Sequence, residues 1–382
     1  MRLALYEWRK FFCLPALWGF LALSLLFNGF LILSFAQTGR DFFNQISADA
    51  ALLGQRVGPD FLRELAALPD TENRRLLLES ALGMENIFEG YDTGLLKDFY
   101  TGVVQASPAA AAAMGWKYDL LAGRAEHLAQ TGAAMDLYAG PATEKSHQFL
   151  FGTLMRCAVG QAAIAAMLAT LHLLGQERLR QTEGLAFSSR TGRGLRRTQV
   201  LCALAGAPLL FALTAIPTLG LYLACFDYGG IWGASVSSQF NFLTDLMLTR
   251  PFLTWADFTV GQYLAACLAL GAALTAVFAL LSALCALLAP GPYPAALAAG
   301  LLCLGGLALT SALGELRLWA AYLLFCFQPT LVWLCCGGWF TELGLNAVLP
   351  FQESLATAAS LIILGAGVFW ALRRFGRKDV NL

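Results

Sequence analysis

Long apolar runs alternate with shorter polar ones along this chain. Residues 12–36, 149–175, 200–226, 258–289, 295–313 and 355–372 are apolar and close to or above the ~20 residues that cross ~30 Å of hydrocarbon as a helix. They predict six transmembrane spans. Pro208 and Pro217 fall inside the third, and each removes a backbone donor, so that helix should kink. Gly300, Gly305 and Gly306 in the fifth predict close helix contact. Ahead of the first run, residues 1–11 carry Leu5 and Trp8, with Phe12 next in the helical series and Arg2, Arg9 and Lys10 alongside. That is the pattern of a short interfacial helix, although the same residues also suit the first end of span one. Run 12–36 is too long for a removable signal peptide and lacks its small-residue cleavage site.

Between spans one and two, residues 37–148 read as ordinary globular sequence. Phe61, Leu65 and Leu68 recur at helical spacing, as do Tyr118, Leu121, Ala125 and Leu128. Breaks at Gly58-Pro59, Ser107-Pro108 and Gly140-Pro141 divide the region into several helices, and it is long enough for its own core. Residues 227–257 read as an outer loop rich in aromatic residues and glycine. Residues 316–336 are apolar enough to cross a membrane, but Arg317, Gln328 and Pro329 interrupt them. The expected form is a re-entrant segment within 314–350, tolerable where it packs against protein.

Charge orients these elements. Residues 176–199 hold Arg178, Arg180, Arg190, Arg193, Arg196 and Arg197 against only Glu177 and Glu183, and short basic loops stay on the cytoplasmic side. The tail, residues 373–382, adds Arg373, Arg374, Arg377 and Lys378. Both termini and the 176–199 loop are therefore expected in the cytoplasm, with the acidic 37–148 region outside. The fold class is an all-α polytopic membrane protein: six transmembrane helices, a helical extracellular domain between spans one and two, and a re-entrant outer segment before span six. Composition agrees, with 58% apolar and 13% charged residues where soluble domains carry about 25% charged.

The chemistry in the chain is sparse. There is no G-x-x-x-x-G-K-[ST] phosphate loop, no H-E-x-x-H and no G-x-S-x-G. His127, His147 and His172 do not form a metal-ligand pattern. The ten cysteines lie in apolar stretches and read as small hydrophobes. Ion-coupled transporters place ionisable groups at membrane depth. Here Arg156 is the clear case inside an apolar run, either snorkelling outward or contacting a substrate on its path.

Three stretches carry a family resemblance. Met135-Asp-Leu-Tyr-Ala-Gly140 runs into His147-Gln-Phe-Leu-Phe151. Glu177 is followed by Thr182-Glu183-Gly184 and Ser188-Ser189-Arg190-Thr191-Gly192-Arg193. Phe327-Gln-Pro329 precedes the last span and the basic tail. With these motifs the chain resembles the ABC-2 class of ABC-transporter permease subunits, in the Gram-positive form with a helical outer domain between spans one and two. The resemblance implies a bacterial plasma-membrane subunit that is not itself an enzyme and holds no cofactor. ATP and Mg would sit on a separate cytoplasmic P-loop ATPase, and a second permease subunit, identical or not, would complete a dimer in the lipid bilayer. No nucleic-acid partner is expected. Docking on the ATPase would fall to Glu177, Glu183, Leu185, Phe187, Arg190 and Arg193. Glycines at 184, 192 and 194 isolate a short element there that presents Leu185 and Phe187, as a coupling helix needs. Gln199 stands where the family commonly has lysine, which argues against a specific role at that position.

The expected function is ATP-driven export of an amphipathic or hydrophobic substrate, peptides included. The alternative is a membrane sensor or immunity protein whose outer domain binds a ligand and which transports nothing. Sidedness is testable directly. In a cysteine-free background, Ser107→Cys should react with an impermeant thiol reagent on intact cells and Ser189→Cys should not; the reverse pattern inverts the topology.

Overall fold

The computed structural model describes residues 2–182, 184–185, 192, 194–245 and 248–377. Helix α1 (Arg2–Phe12) is followed by α2 (Pro15–Leu53), with Pro15 in its first turn. Next come α3 (Pro59–Ala67), α4 (Glu72–Leu82), α5 (Thr93–Val103) and α6 (Pro108–Thr131). A five-residue helix α7 (Thr143–His147) leads without a break through a π-helical turn, Gln148–Leu154, into α8 (Met155–Leu179). The remaining long helices are α9 (Gly194–Cys225), α10 (Val260–Leu288), α11 (Pro292–Glu315) and α14 (Gln352–Arg377). Between the last two lie the short α12 (Trp319–Phe325) and α13 (Pro329–Leu334).

Among the described residues, six helices are long and apolar enough to cross a membrane, as a multi-pass membrane protein requires. They begin with α2, and the second is the continuous stretch Gly140–Leu179. Segment 316–336 adds no seventh. With seven residues, α12 rises only about 10 Å, and α13 is shorter. The break between them falls at Pro329, which cannot continue a helix from the preceding turn. Gln328 anchors the pair by donating to Thr310 Oγ1 at 2.7 Å, with its carbonyl end in the space a side chain at Gly306 would need. Gly300 and Gly305 face open space, so of these three glycines only Gly306 meets a neighbour.

Two features depart from the expected elements: a strand pair, and the length of the first long helix. Residues 242–251 form an antiparallel hairpin of β1 (Phe242–Asp245) and β2 (Leu248–Pro251), with Leu243 opposite Arg250. Helix α2 also does not stop near residue 36. Its 39 residues rise roughly 58 Å, well past the ~30 Å hydrocarbon; no proline follows Pro15 within it, and it ends at Gly54, whose φ is +92°. The 37–148 region therefore rides on a rigid extension of the first long helix.

Helices α8, α9 and α10 pack against one another at the centre, with α2 on α8 and α9, α14 on α10, and α11 along α8 and α10. Small residues allow the approach. Ala158, Ala162, Ala165, Ala166 and Ala169 make a buried stripe at helical spacing on α8. The 37–148 region shares its cores with the rest of the chain. Phe43, Ile46, Phe61 and Leu77 join one apolar cluster with Tyr222 and Tyr263 from the long helices. Leu96, Met114 and Leu121 join another with Leu253, Trp319 and Leu345. The region is thus welded to the ends of the long helices.

Candidate functional site

The basic loop joins α8 to α9, and the residues flanking it form a buried polar network with α1. Phe11 secures α1: a side chain at Gly206 of α9 would collide with its ring. That contact turns Glu7, 1% exposed, inward. Lys10 Nζ lies 2.9 Å from Glu7 Oε1 and 3.0 Å from Glu177 Oε1. Gln199 Nε2 donates to Glu7 Oε2 and to Glu177 Oε1, each at 3.0 Å. Arg196 Nη1 donates to Gln199 Oε1 at 3.1 Å and to the Leu174 carbonyl, and lies 3.5 Å from Glu177 Oε2. Two carboxylates thus face two cations around one amide, a charge-balanced set in which each member meets at least two others. Burial disfavours the Lys10 ammonium, but Glu7 and Glu177 more than offset it and hold its pKa above the ordinary value.

Of the residues expected to couple to an ATPase, Glu177 is at the centre of this network. Leu185 is 77% exposed, beside a helical Gly184. Glu183, Phe187, Arg190 and Arg193 lie outside the described residues. Gln199, discounted on family grounds, bridges Glu7 and Glu177 instead. An amide does here what a lysine can do only in part, because it donates to both carboxylates and also accepts from Arg196.

Arg156 is at the far end of α8. Its side chain lines a cavity of about 200 Å³ with Gln148, Asp245, Asn346, Gly337 and Gly338, and its carbonyl accepts from Trp333 Nε1 at 2.8 Å. The π-helical turn sits directly on this cavity. Gly152 backs onto Gly337 so closely that a side chain on Gly337 would come within 3.0 Å of Gly152 Cα. Inserted π turns cost hydrogen-bond geometry and concentrate at functional positions. Arg156 therefore shares a recess with Asp245, Arg250 and two amide side chains, rather than facing lipid alone.

Beside that recess, a second buried network joins the 37–148 region to the rest. Lys117 and Glu342 are 0% and 1% exposed and lie 3.1 Å apart. Lys117 also donates to the carbonyls of Gly344 (2.6 Å) and Ala347 (2.8 Å), so all three of its protons have acceptors. Arg250 Nε pairs with Glu342 Oε1, and its Nη1 donates to Tyr100 Oη at 2.7 Å. Tyr100 donates to Asp245 Oδ2 at 3.1 Å and Tyr118 to Glu342 Oε2 at 3.1 Å. Burial works against the Glu342 carboxylate, but Lys117 and Arg250 outweigh it and hold its pKa below the usual value. Burial pushes both phenols up, so they serve as donors.

Between the two networks, Asn28 of α2 and Gln161 of α8 exchange amide hydrogen bonds of 2.9 and 2.8 Å, and Asn28 also donates to Thr218 of α9 at 3.0 Å. Composition hid this triad, because neither amide is charged and each sits alone in an apolar run.

Removing one partner of a buried ion pair costs about 3–5 kcal/mol. Lys117→Met should therefore destabilise the chain by that order in detergent-solubilised unfolding, whereas Lys97→Ala, at an exposed pair with Asp119, should cost under ~1 kcal/mol. The Glu342 contribution is fully present above its unfolded pKa of about 4.3 and is lost as pH falls through the lower folded value. The deficit of Lys117→Met should therefore persist at pH 7 and shrink below about pH 4. Equal losses in the two variants would remove the network from the account.

Compared with protein-family models, curated proteins and solved structures, the chain finds no match, so the reading of these sites rests on their own geometry.

Proposed function

We propose that this chain is the non-catalytic, membrane-spanning permease subunit of an ATP-driven exporter of the ABC-2 type. It would move an amphipathic or hydrophobic substrate with ATP hydrolysed on a separate P-loop subunit that holds the ATP and Mg. In this reading the 176–199 loop and both termini are cytoplasmic, the 37–148 region is extracellular, and a second permease subunit completes the unit in a bacterial plasma membrane.

The observation that carries the proposal is the Glu7–Lys10–Glu177–Arg196–Gln199 network. A loop that merely set topology would need its arginines in water. Here the residues on either side of the loop are locked to α1 and to the bases of α8 and α9. A push on the loop is thereby delivered to three helices together. Leu185 is exposed to solvent within the loop.

Phe187 is the next large apolar residue in the sequence. Phe187→Asp removes burial worth about 1.5–3 kcal/mol and replaces it with an unpaired charge. It should strip the ATPase from the permease in pull-downs at matched permease levels, with insertion unchanged. Arg190→Glu should weaken the same contact less and in a salt-dependent manner. Full ATPase recovery with Phe187→Asp would leave the loop a topology signal and put the sensor reading in its place.

A further inference from the structure

A cavity of about 870 Å³ opens beside the last turns of α11, in the size range of small-molecule sites. Its position follows from the contacts of α11. Pro292, at the helix start, packs against Gly175 next to the basic loop, so Glu315 marks the opposite end, nearer the 37–148 region. Leu307, Leu331, Leu334 and Trp319 supply apolar lining, beside the polar Gln105, Thr310, Ser311 and Asn346. Leu297, Leu301 and Leu304 are 65%, 61% and 70% exposed on α11 and form an apolar track that leads to Leu307.

The rim is charged. Glu315 and Arg317 are exposed there, one acid and one base two residues apart, and neither side chain is paired with another described residue. Arg317 also holds φ +55°, the left-handed conformation in which helices usually end on glycine. The turn is closed by Arg317 N–H to Gly314 O at 3.0 Å and Leu318 N–H to Leu313 O at 2.9 Å. An arginine in the place of glycine is costly to the turn and sets a guanidinium at the mouth of the cavity.

We infer that this cavity holds one acyl-chain amphiphile with a zwitterionic head, its chain on Leu307, Leu331 and Leu334, its phosphate at Arg317 and its ammonium at Glu315. A purely anionic head would meet Glu315 unfavourably, and a neutral one would leave both charges unused. As a statement of the exporter's substrate class this rests on the function proposed above. The binding step does not, and it can be measured on the full-length chain without its ATPase.

The test is native mass spectrometry of the delipidated protein with phosphatidylethanolamine, phosphatidylglycerol or diacylglycerol added. One phosphatidylethanolamine should be retained, about tenfold more tightly than either competitor. Arg317→Glu and Glu315→Lys should each lower that retention about tenfold, and both lie on the surface, where folding tolerates them. Leu331→Trp should fill the cavity and weaken all three lipids. Equal retention of the three lipids, unaffected by the rim variants, would reduce the cavity to an annular lipid contact. Preference for phosphatidylglycerol, strengthened by Glu315→Lys, would make it an anion site. Either result overturns the assignment.

Discussion

A polar group inside hydrocarbon must find its partner within the protein, because no water is there to supply one. Three sets of polar side chains in this structure are arranged accordingly. They are gathered into a charge-balanced network at the basic-loop end, an amide triad in the middle and an ionic network at the other end. Apolar packing alone lets helices slide, since lipid tails and leucine side chains are equally good neighbours. Reciprocal amide bonds between Asn28 and Gln161 do not permit a slide of one turn without leaving donors unpaired, so they fix the register of α2 against α8.

The two end networks meet through shared rigid elements. Helix α8 carries Glu177 at one end, and at the other it grows out of the π-helical turn that backs onto Gly337. Helix α10 is capped by Ala289, whose carbonyl accepts from Arg178 (2.9 Å), and near its start Tyr263 donates to the Trp339 carbonyl (2.9 Å). Displacement at the loop therefore has two stiff routes to the Arg156 recess. Because both networks are buried and close to neutral, a rearrangement must exchange partners as a set, which favours two discrete states over a continuum.

The long helices were legible because crossing hydrocarbon demands a run of apolar residues that composition cannot disguise. Interruptions at Arg317, Gln328 and Pro329 likewise marked the segment that does not form a long helix. What stayed hidden depends on partners distant in sequence. Lys117 looks like any helical surface lysine until Glu342, 225 positions later, is placed beside it. The hairpin at 242–251 was obscured by a loop whose glycine and aromatic content suggested irregular chain. Gln199 was misjudged because a missing charge was taken for a missing role. The shared cores could not be foreseen either, since helical periodicity shows which face is apolar but not what covers it.

The central claim is that the loop moves the bundle through the Glu177 network. Its most direct test is the distance between spin labels at Leu5 on α1 and Trp116 on α6, both exposed, in the chain bound to the ATPase proposed for it, with and without trapped ATP. In the native chain the distance distribution should shift with nucleotide. In Gln199→Leu, with the ATPase still bound, it should not. A nucleotide-driven shift of the same size in that variant would show that the network transmits nothing.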